Sequence, residues 1–256
     1  MSEFIPTKER QSLILDLLLR QGRLTVAEIV ERFKVSEATA RRDLEALAEQ
    51  GKIQRVHGGA LPLRQAPPEP PLLQRESEQF FEKHRIAQAA AALVQDGETV
   101  FIASGSTTLQ VARQLRGRPL TVITNSLPVM NTLANVPNMS LIGIGGELRQ
   151  SELSFVGHIA EQAIAELRAD KVILGVHALS IEHGLTSDYL PEVLTDRAIL
   201  KVGREVILVA DHTKFNTVST AFIAPITAVH CLVTDSAAPA EQVAALRELG
   251  LRVILA

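Results

Sequence analysis

The residues with the most evident chemistry follow a short apolar stretch at residues 99–103. They are Ser104-Gly105-Ser106-Thr107-Thr108, and a helical stretch begins directly after them, at about Leu109. Hydroxyl side chains, a glycine and the free backbone N–H groups of a helix N-terminus form a cradle for an anion such as phosphate. The same run also serves as an ordinary helix cap, so both interpretations remain open. It lacks the lysine of a Walker loop, which argues against a nucleoside triphosphate.

Polar residues also follow other predicted strands. Asn125 can bond hydroxyl groups, while Arg149 and Lys214 can neutralise phosphate charge. Ligands of parallel sheets collect at the carboxyl ends of the strands, so we expect these side chains to converge with the Ser/Thr run. The glycines at 143, 145 and 146 do not form the GxGxxG pattern, which disfavours a dinucleotide site.

A second group of polar residues lies near the N-terminus. Ser36 can cap a helix whose inward positions are Ala40, Leu44 and Leu47. At 100° per residue, the opposite face exposes Ala38, Thr39, Arg41, Arg42 and Glu45. Arginine can bind guanine or phosphate, and Ala38 and Thr39 can contact a thymine methyl group. A solvated helix, or a helix that binds another protein, is the alternative.

The elements that must position this helix can be predicted from apolar periodicity. Two earlier helices precede it: Gly22 ends the first, and Thr25 with Glu28 has the form of a capping box that opens the second. Gly51 ends the third, and a hairpin follows, on which Lys52, Arg55 and His57 could hold DNA phosphates. This layout predicts a winged helix-turn-helix at residues 1–61.

A proline-rich segment then divides the chain. Five prolines fall between positions 62 and 71, which favours an extended, semi-rigid linker at residues 62–80. Beyond it, helical stretches such as 87–94 and 241–249 alternate with short apolar strands, which predicts an α/β domain at residues 81–256 with a mainly parallel sheet. The seven predicted strands are 99–103, 120–124, 139–144, 171–176, 205–210, 231–234 and 252–255.

Composition sets the remaining bounds. The 256 residues have a net charge of −3, and the first 61 residues hold ten basic and nine acidic side chains, so a wholesale basic nucleic-acid binder is excluded. No apolar run is long enough to cross a bilayer, and no secretory signal is evident, so we expect a cytoplasmic protein. The chain has one cysteine, Cys231, so we expect no internal disulfide. Its histidines lack the spacing of metal ligands, so we expect no metal and no cofactor.

The N-terminal residues resemble a known family. Arg10, Ile14 and Leu18 at four-residue steps, then Ser36 and Thr39-Ala40-Arg41-Arg42-Asp43-Leu44, are similar to the helix-turn-helix signature of the DeoR family of bacterial transcription regulators. The match continues through Gly58-Gly59-Ala60. This resemblance implies that the unit binds double-stranded operator DNA. We expect Asp43 to brace a neighbouring arginine rather than to touch DNA.

The larger domain resembles the sensor domain of the same family. The matching runs are residues 104–108, Thr124-Asn125-Ser126, Gly145-Gly146-Glu147-Leu148-Arg149, Gly184-Leu185-Thr186 and 211–215. The resemblance implies a fold similar to ribose-phosphate isomerases and a phosphorylated sugar or sugar alcohol as effector. By this carry-over, residues 104–108 would grip the phosphate, and Asn125, Glu147, Arg149 and Lys214 would line the pocket.

Two positions depart from the family pattern. The aspartate that usually precedes the Ser-Gly-Ser-Thr-Thr run is Ala103 here, and a lysine that usually precedes Arg-Ala of a later helix is Asp196, ahead of Arg197. A lost carboxylate and a reversed charge could alter which effectors are accepted. His177, at a strand end, could supply a replacement contact, although a satisfied, partly buried histidine is the simpler expectation.

The residues and the resemblance together predict a transcriptional regulator, most simply a repressor of carbohydrate-metabolism genes that acts as a homo-oligomer, a dimer or a tetramer. The main alternative is a phosphosugar isomerase with an appended DNA-binding unit, and Glu147 is then the candidate base. A ligand-independent architectural DNA-binding protein is the third possibility.

Overall fold

A computed structural model describes residues 5–56, 58–62 and 64–256; the predicted DNA contact His57 lies outside these residues. The first unit contains three helices and a small antiparallel sheet of order β1-β3-β2. Its elements in chain order are α1 (Thr7–Gln21), β1 (Leu24–Thr25), α2 (Val26–Phe33), α3 (Glu37–Glu49), β2 (Ile53–Val56) and β3 (Gly59–Pro62).

The predicted helix boundaries of this unit are confirmed. Gly22 ends α1 in the left-handed conformation, with φ of 75°. Thr25 and Glu28 form both hydrogen bonds of the capping box at the start of α2, and the Ser36 side chain accepts from the Thr39 N–H at the start of α3. The winged helix-turn-helix predicted from periodicity is therefore present.

A buried ion pair fastens α1 to α3. The Arg10 guanidinium donates to both carboxylate oxygens of Asp43, at 2.5 and 3.1 Å, and both residues are buried. Gln11 donates to the same carboxylate at 3.2 Å. The prediction that Asp43 braces an arginine is confirmed, and the arginine is Arg10. Because the pair lies within the apolar core of the unit, each charge is stabilised by its partner instead of by water.

The proline-rich segment does not stand free as an extended spacer. It holds a two-residue strand, β4 (Arg64–Gln65), which pairs in parallel with residues 217–218, and a short helix, α4 (Leu72–Arg75). Leu72 is fully buried in the core of the larger domain. The segment is therefore packed onto that domain, because Leu72 joins its core and Arg75 pairs with Glu152.

The larger domain is an α/β unit around one sheet. Its elements in chain order are α5 (Phe80–Ala91), β5 (Thr99–Ile102), α6 (Ser106–Leu115), β6 (Thr121–Thr124), α7 (Leu127–Leu133), β7 (Ser140–Gly143), β8 (Glu147–Arg149), β9 (Ser154–Val156), α8 (His158–Ala165), β10 (Ala169–Leu174), β11 (Ala178–Ser180), β12 (Gly184–Ser187), α9 (Leu190–Val202), β13 (Gly203–Val209), β14 (Thr217–Val218), β15 (Ala221–Ala224), β16 (Cys231–Thr234), α10 (Ala240–Glu248) and β17 (Arg252–Leu255).

Seven parallel strands form the central sheet, in the order β17-β16-β13-β10-β5-β6-β7. In the centre, Ile173 of β10 pairs with Ile102 of β5 and with Ile207 of β13. Alternate side chains point to two apolar layers: Phe101 and Val172 lie in one core, and Ile102 and Ile173 in the other. The predicted mainly parallel α/β fold is confirmed. Among the described residues, no helix combines the length and apolarity that crossing a membrane requires.

Removal of the Asp43 carboxylate tests the role of the buried ion pair. We expect Asp43→Ala to lower the free energy of unfolding of the N-terminal unit by about 3 to 5 kcal/mol, because Arg10 is left buried and unpaired. Thermal unfolding of the full chain, followed by circular dichroism and calorimetry, measures the loss. Glu45→Ala, at an exposed position of the same helix, is the control. Equal stability of the two variants would contradict this role.

Candidate DNA-binding surface and effector pocket

The exposed face of α3 carries the residues predicted to contact DNA. Ser36, Ala38, Arg41 and Arg42 are exposed, and Thr39 is half-buried. The Arg41 guanidinium donates to the Glu37 carboxylate one turn earlier, at 2.6 and 3.0 Å. The pair keeps the Arg41 side chain close to α3. Because an ion pair this exposed is weak, it does not prevent Arg41 from binding another partner.

The hairpin β2–β3 extends this surface. Lys52 is exposed and Arg55 is half-buried, and Arg55 donates to the main-chain oxygen of Arg41 at 3.1 Å. Gly59 holds the hairpin against β1, because a Cβ atom there would lie 2.4 Å from the Leu24 oxygen. The hairpin is thus fixed beside α3 at Arg41, where its basic side chains continue the basic face of the helix.

The N-terminal unit also touches the larger domain. The Gln54 amide of β2 donates to the Gln242 side chain of α10 at 3.1 Å, and both residues are buried. Arg23 forms an exposed ion pair with Glu241 of the same helix. Within the described residues, the second polar atom of each glutamine has no partner. Because this contact leaves two buried polar atoms unpaired, its separation costs little free energy.

A cavity of about 300 Å³ opens at the carboxyl ends of three central strands. Ser104 follows β5, Gly175 follows β10 and Ala210 follows β13, so the strands bring residues far apart in sequence to one place. This is the location expected for a ligand in an open parallel sheet. The wall includes residues of the proline-rich segment as well as of the larger domain, among them Glu69, Arg75, Lys83, Ser106, Thr107, Glu152, His177, Glu192, Asp196 and Lys214.

One end of the cavity has the form of an anion cradle. Ser104, Gly105, Ser106 and Thr107 line it at the start of α6. Gly105 has φ of 138°, a conformation that few other residues adopt, so the loop is shaped by glycine. Thr108 does not line the cavity: it is fully buried, and its hydroxyl donates to the Gly105 oxygen at 2.9 Å. Thr108 therefore supports the loop that its neighbours present.

Three cations lie around the cradle, and two of them share one carboxylate. Lys214 and Arg75 both donate to the same Glu69 oxygen, at 2.9 and 2.8 Å. Lys83 donates to the main-chain oxygen of Arg75 at 2.6 Å. His177 contacts the oxygen of Pro67 through Nε2 at 2.9 Å. The proline-rich segment is therefore tied to the cavity by charge as well as by packing.

The acidic end of the cavity adjoins the cradle, since the Ser104 hydroxyl donates to Glu192 at 3.5 Å. Glu152 pairs with Arg75, and Glu192 pairs with Arg149. Asp196 lies one turn after Glu192 on α9 and also faces the cavity. Arg149, predicted as a pocket residue, thus reaches the site through Glu192 instead of lining it.

Two other residues expected at the pocket lie elsewhere. Asn125 is buried and donates to the Phe155 oxygen at 3.1 Å, so it fixes the β8–β9 hairpin beside the site. Glu147 is exposed on β8. Conversely, residue order did not identify Glu69, Arg75 and Lys83, because they reach the cavity from the linker and from α5. The only available signal was the charge of Glu69 and Arg75 within the proline-rich segment.

Comparison with known families matches both units. Residues 10–65 match the DeoR-like helix-turn-helix domain, and residues 78–236 match the DeoR C terminal sensor domain. The chain belongs to the DeoR family of transcriptional regulators. The exposed face of α3 described above lies in the first of these domains. The cavity lies mainly in the second, and Glu69 and Arg75 of the linker complete its wall.

Curated relatives agree with this membership. The chain is 37% identical over 235 residues to the transcriptional repressor AccR of Agrobacterium fabrum, covering 91% of each chain. It is also 37% identical over 232 residues to the glycerol-3-phosphate regulon repressor of Escherichia coli, covering 90% of this chain and 92% of the relative. Among solved structures, ribose 5-phosphate isomerase A of Methanocaldococcus jannaschii is 17% identical, with a TM-score of 0.38 over 52% of this chain and 53% of that one. At this level the similarity implies nothing about catalysis.

Burial and neighbouring charges shift the pKa values of the acids in the sensor cavity. Burial raises the pKa of Glu152 to about 7, against the opposing effect of Arg75. Burial also raises the pKa values of Glu192 and Asp196, and Glu192 raises that of Asp196 further. In contrast, Lys214 and Arg75 outweigh burial at Glu69 and lower its pKa. The charged form of Glu69 is thus favoured, in contrast to Glu152, Glu192 and Asp196.

The shift of Glu152 predicts a pH dependence of stability. As the pH rises from about 5 to about 8, the unfolded chain loses this proton first, so the folded state loses stability relative to it. We expect the stability of Glu152→Gln relative to the unaltered chain to rise across this range, by up to about 3 kcal/mol. Denaturant unfolding of both proteins at several pH values measures the difference. A difference independent of pH would contradict the shift.

Proposed function

We propose that this DeoR-family regulator is a repressor of carbohydrate-metabolism genes whose operator binding is controlled by a phosphorylated sugar or sugar alcohol. The observation that carries the proposal is the cavity in which the cradle of residues 104–107 faces Lys214 and Arg75. A cradle of hydroxyl and N–H groups with adjacent cations suits a phosphate monoester. The name of the Escherichia coli relative, a glycerol-3-phosphate regulon repressor, supports this effector class.

The DNA contacts that we propose divide into two kinds. Arg41 and Arg42, with Ala38 and Thr39 beside them, enter the major groove and read base edges, since they occupy the exposed first half of α3. The remaining predicted residues hold phosphates and set the position of the helix on the duplex. These are Ser36, Lys52, Arg55 and His57.

The proposed effector contacts follow the two ends of the cavity. The phosphate binds to residues 104–107 and to Lys214, and the sugar hydroxyl groups extend toward the carboxyl groups of Glu152 and Glu192. Thr108, Asn125 and Arg149 act on this site indirectly, through the Gly105 loop, the β8–β9 hairpin and Glu192 respectively. Glu147 is exposed and lies outside the cavity wall, so it has the least structural support among the predicted effector contacts.

The linker supplies a physical route from effector to DNA. Glu69 pairs with both Lys214 and Arg75, so a phosphate that needs these cations must compete with it. Displacement of Glu69 loosens the segment that leads to the DNA-binding unit. Because a ligand can shift an equilibrium only by its differential affinity for two states, this competition is what gives the effector control of DNA binding.

We propose further that the chain functions without catalysis. An aldose–ketose isomerase needs a positioned base next to the substrate carbonyl. Glu147, the candidate base, is exposed on β8, outside the cavity wall. Glu152 and Glu192 are each paired with an arginine, an arrangement that suits the binding of hydroxyl groups.

A homo-oligomer is also part of the proposal. Leu190 and Leu194 lie one turn apart on α9 and are 57% and 44% exposed, and Phe222 of the adjoining strand β15 is 48% exposed. Exposed apolar side chains this large favour burial against a second copy. Sedimentation velocity of the full chain measures the number of copies.

Substitution of Arg41 tests the base-reading role. We expect Arg41→Ala to weaken binding to a duplex selected by the protein from a random library by about 1 to 3 kcal/mol, and to relax the base preference at one position. Fluorescence anisotropy titrations at fixed ionic strength measure the affinity. Arg204→Ala, at a highly exposed arginine of the sensor domain, is the control. Unchanged affinity and selectivity of the Arg41 variant would reject the assignment.

The phosphate cradle is tested by removing its hydroxyl groups. The double variant Ser106→Ala/Thr107→Ala is expected to lose the response of DNA binding to hexose phosphates, since two donors to the phosphate are gone, while its operator affinity without effector is retained. The measurement is the same anisotropy titration with and without each hexose phosphate. If the variant still responded, the phosphate would bind elsewhere.

A further inference from the structure

At the acidic end of the sensor cavity, carboxyl groups outnumber the arginine side chains that pair with them. Arg75 is shared between Glu152 and Glu69, and Arg149 is shared between Glu192 and Asp188. Asp196 has no hydrogen-bond or ion-pair partner within the described part of the chain. The two arginines therefore leave one carboxyl group at this end unmatched.

Buried polar atoms at the same wall also lack partners. Glu152 is 4% exposed, and its Oε1 atom has no hydrogen-bond partner among the described residues. Nδ1 of His177, which is 7% exposed, has none there either, and it lies 3.9 Å from an Asp188 oxygen. Both residues line the cavity. Because burial of a polar group without a partner is unfavourable, such atoms indicate that a ligand completes the site. The ligand must offer hydrogen-bond donors at this end.

The type of donor follows from the charges around Asp196. It faces Glu192, Glu152 and Glu69, with Arg149 as the opposing cation. Burial first, and then these carboxyl groups, raise the pKa of Asp196 well above the ordinary value, which favours its protonated form. A cationic nitrogen placed here would reverse this balance, because it favours the ionised carboxylate.

We propose that the effector is a phosphorylated amino sugar, whose phosphate binds to the cradle of residues 104–107 and whose ammonium group binds to Asp196. This inference rests on the function proposed above and narrows the effector class. An ammonium group favours the ionised form of Asp196 and therefore the release of a proton on binding, whereas the matching hydroxyl sugar brings no such charge. Asp196 thus acts as a specificity-determining residue.

Matched pairs of ligands test the proposal. The probes are glucosamine, galactosamine and mannosamine 6-phosphates, each paired with the hexose 6-phosphate that has a hydroxyl in place of the ammonium group. Isothermal titration of the full chain is expected to show one amino sugar phosphate binding about ten times tighter or more than its partner. Titration in buffers of different ionisation enthalpy is expected to show proton release for that compound alone.

The control variants separate charge from shape. Asp196→Asn, verified as folded by circular dichroism, is expected to lose both the preference and the proton release while it still binds the hexose phosphate. Equal affinity within every pair, or a preference retained by Asp196→Asn, would overturn the proposal and leave phosphosugar sensing intact. If neither member of any pair bound, the hexose-phosphate form of the proposed function would fail with it.

Discussion

The structure depends most on the Glu69 carboxylate, which Arg75 and Lys214 share at 2.8 and 2.9 Å. Three segments meet there: the linker, its short helix and the loop after β13. The contact is ionic and largely buried, so each partner has a high cost of being left alone. It holds the linker on the sensor cavity, and it places a negative charge where an effector phosphate must bind. One interaction thereby joins the chain leading to DNA to the ligand site.

The remaining charges of the cavity fit the same logic. At the cradle, the cations Lys214 and Arg75 outnumber the one carboxylate, Glu69, that they share. At the acidic end, carboxyl groups outnumber the arginines that pair with them. Ala103, where the family usually has aspartate, is buried in the apolar core beneath the cradle. The acidic character lost there is present instead on α9, at Asp196.

Much of the architecture could be predicted from the sequence. Periodicity and caps are local, so Gly22, Thr25 and Ser36 defined helices that the structure contains. The seven sheet strands were predicted because buried parallel strands are continuous apolar runs. The role of the linker was not predictable, since proline content suggests an extended chain, whereas the fixing contacts of Glu69 and Arg75 are made to residues distant in sequence. Asn125 and Thr108 were misplaced for a similar reason: a polar residue after a strand can support the site without facing it.

The most direct test of this account is the affinity of Glu69→Gln for a hexose phosphate, measured by isothermal titration beside the unaltered chain. The variant keeps the shape of the linker and removes the charge that competes with phosphate. We predict binding about ten times tighter or more in the variant, together with weaker operator binding in the absence of effector. Unchanged phosphate affinity, with operator binding that still responds fully to the effector, would contradict the linkage on which the account is built.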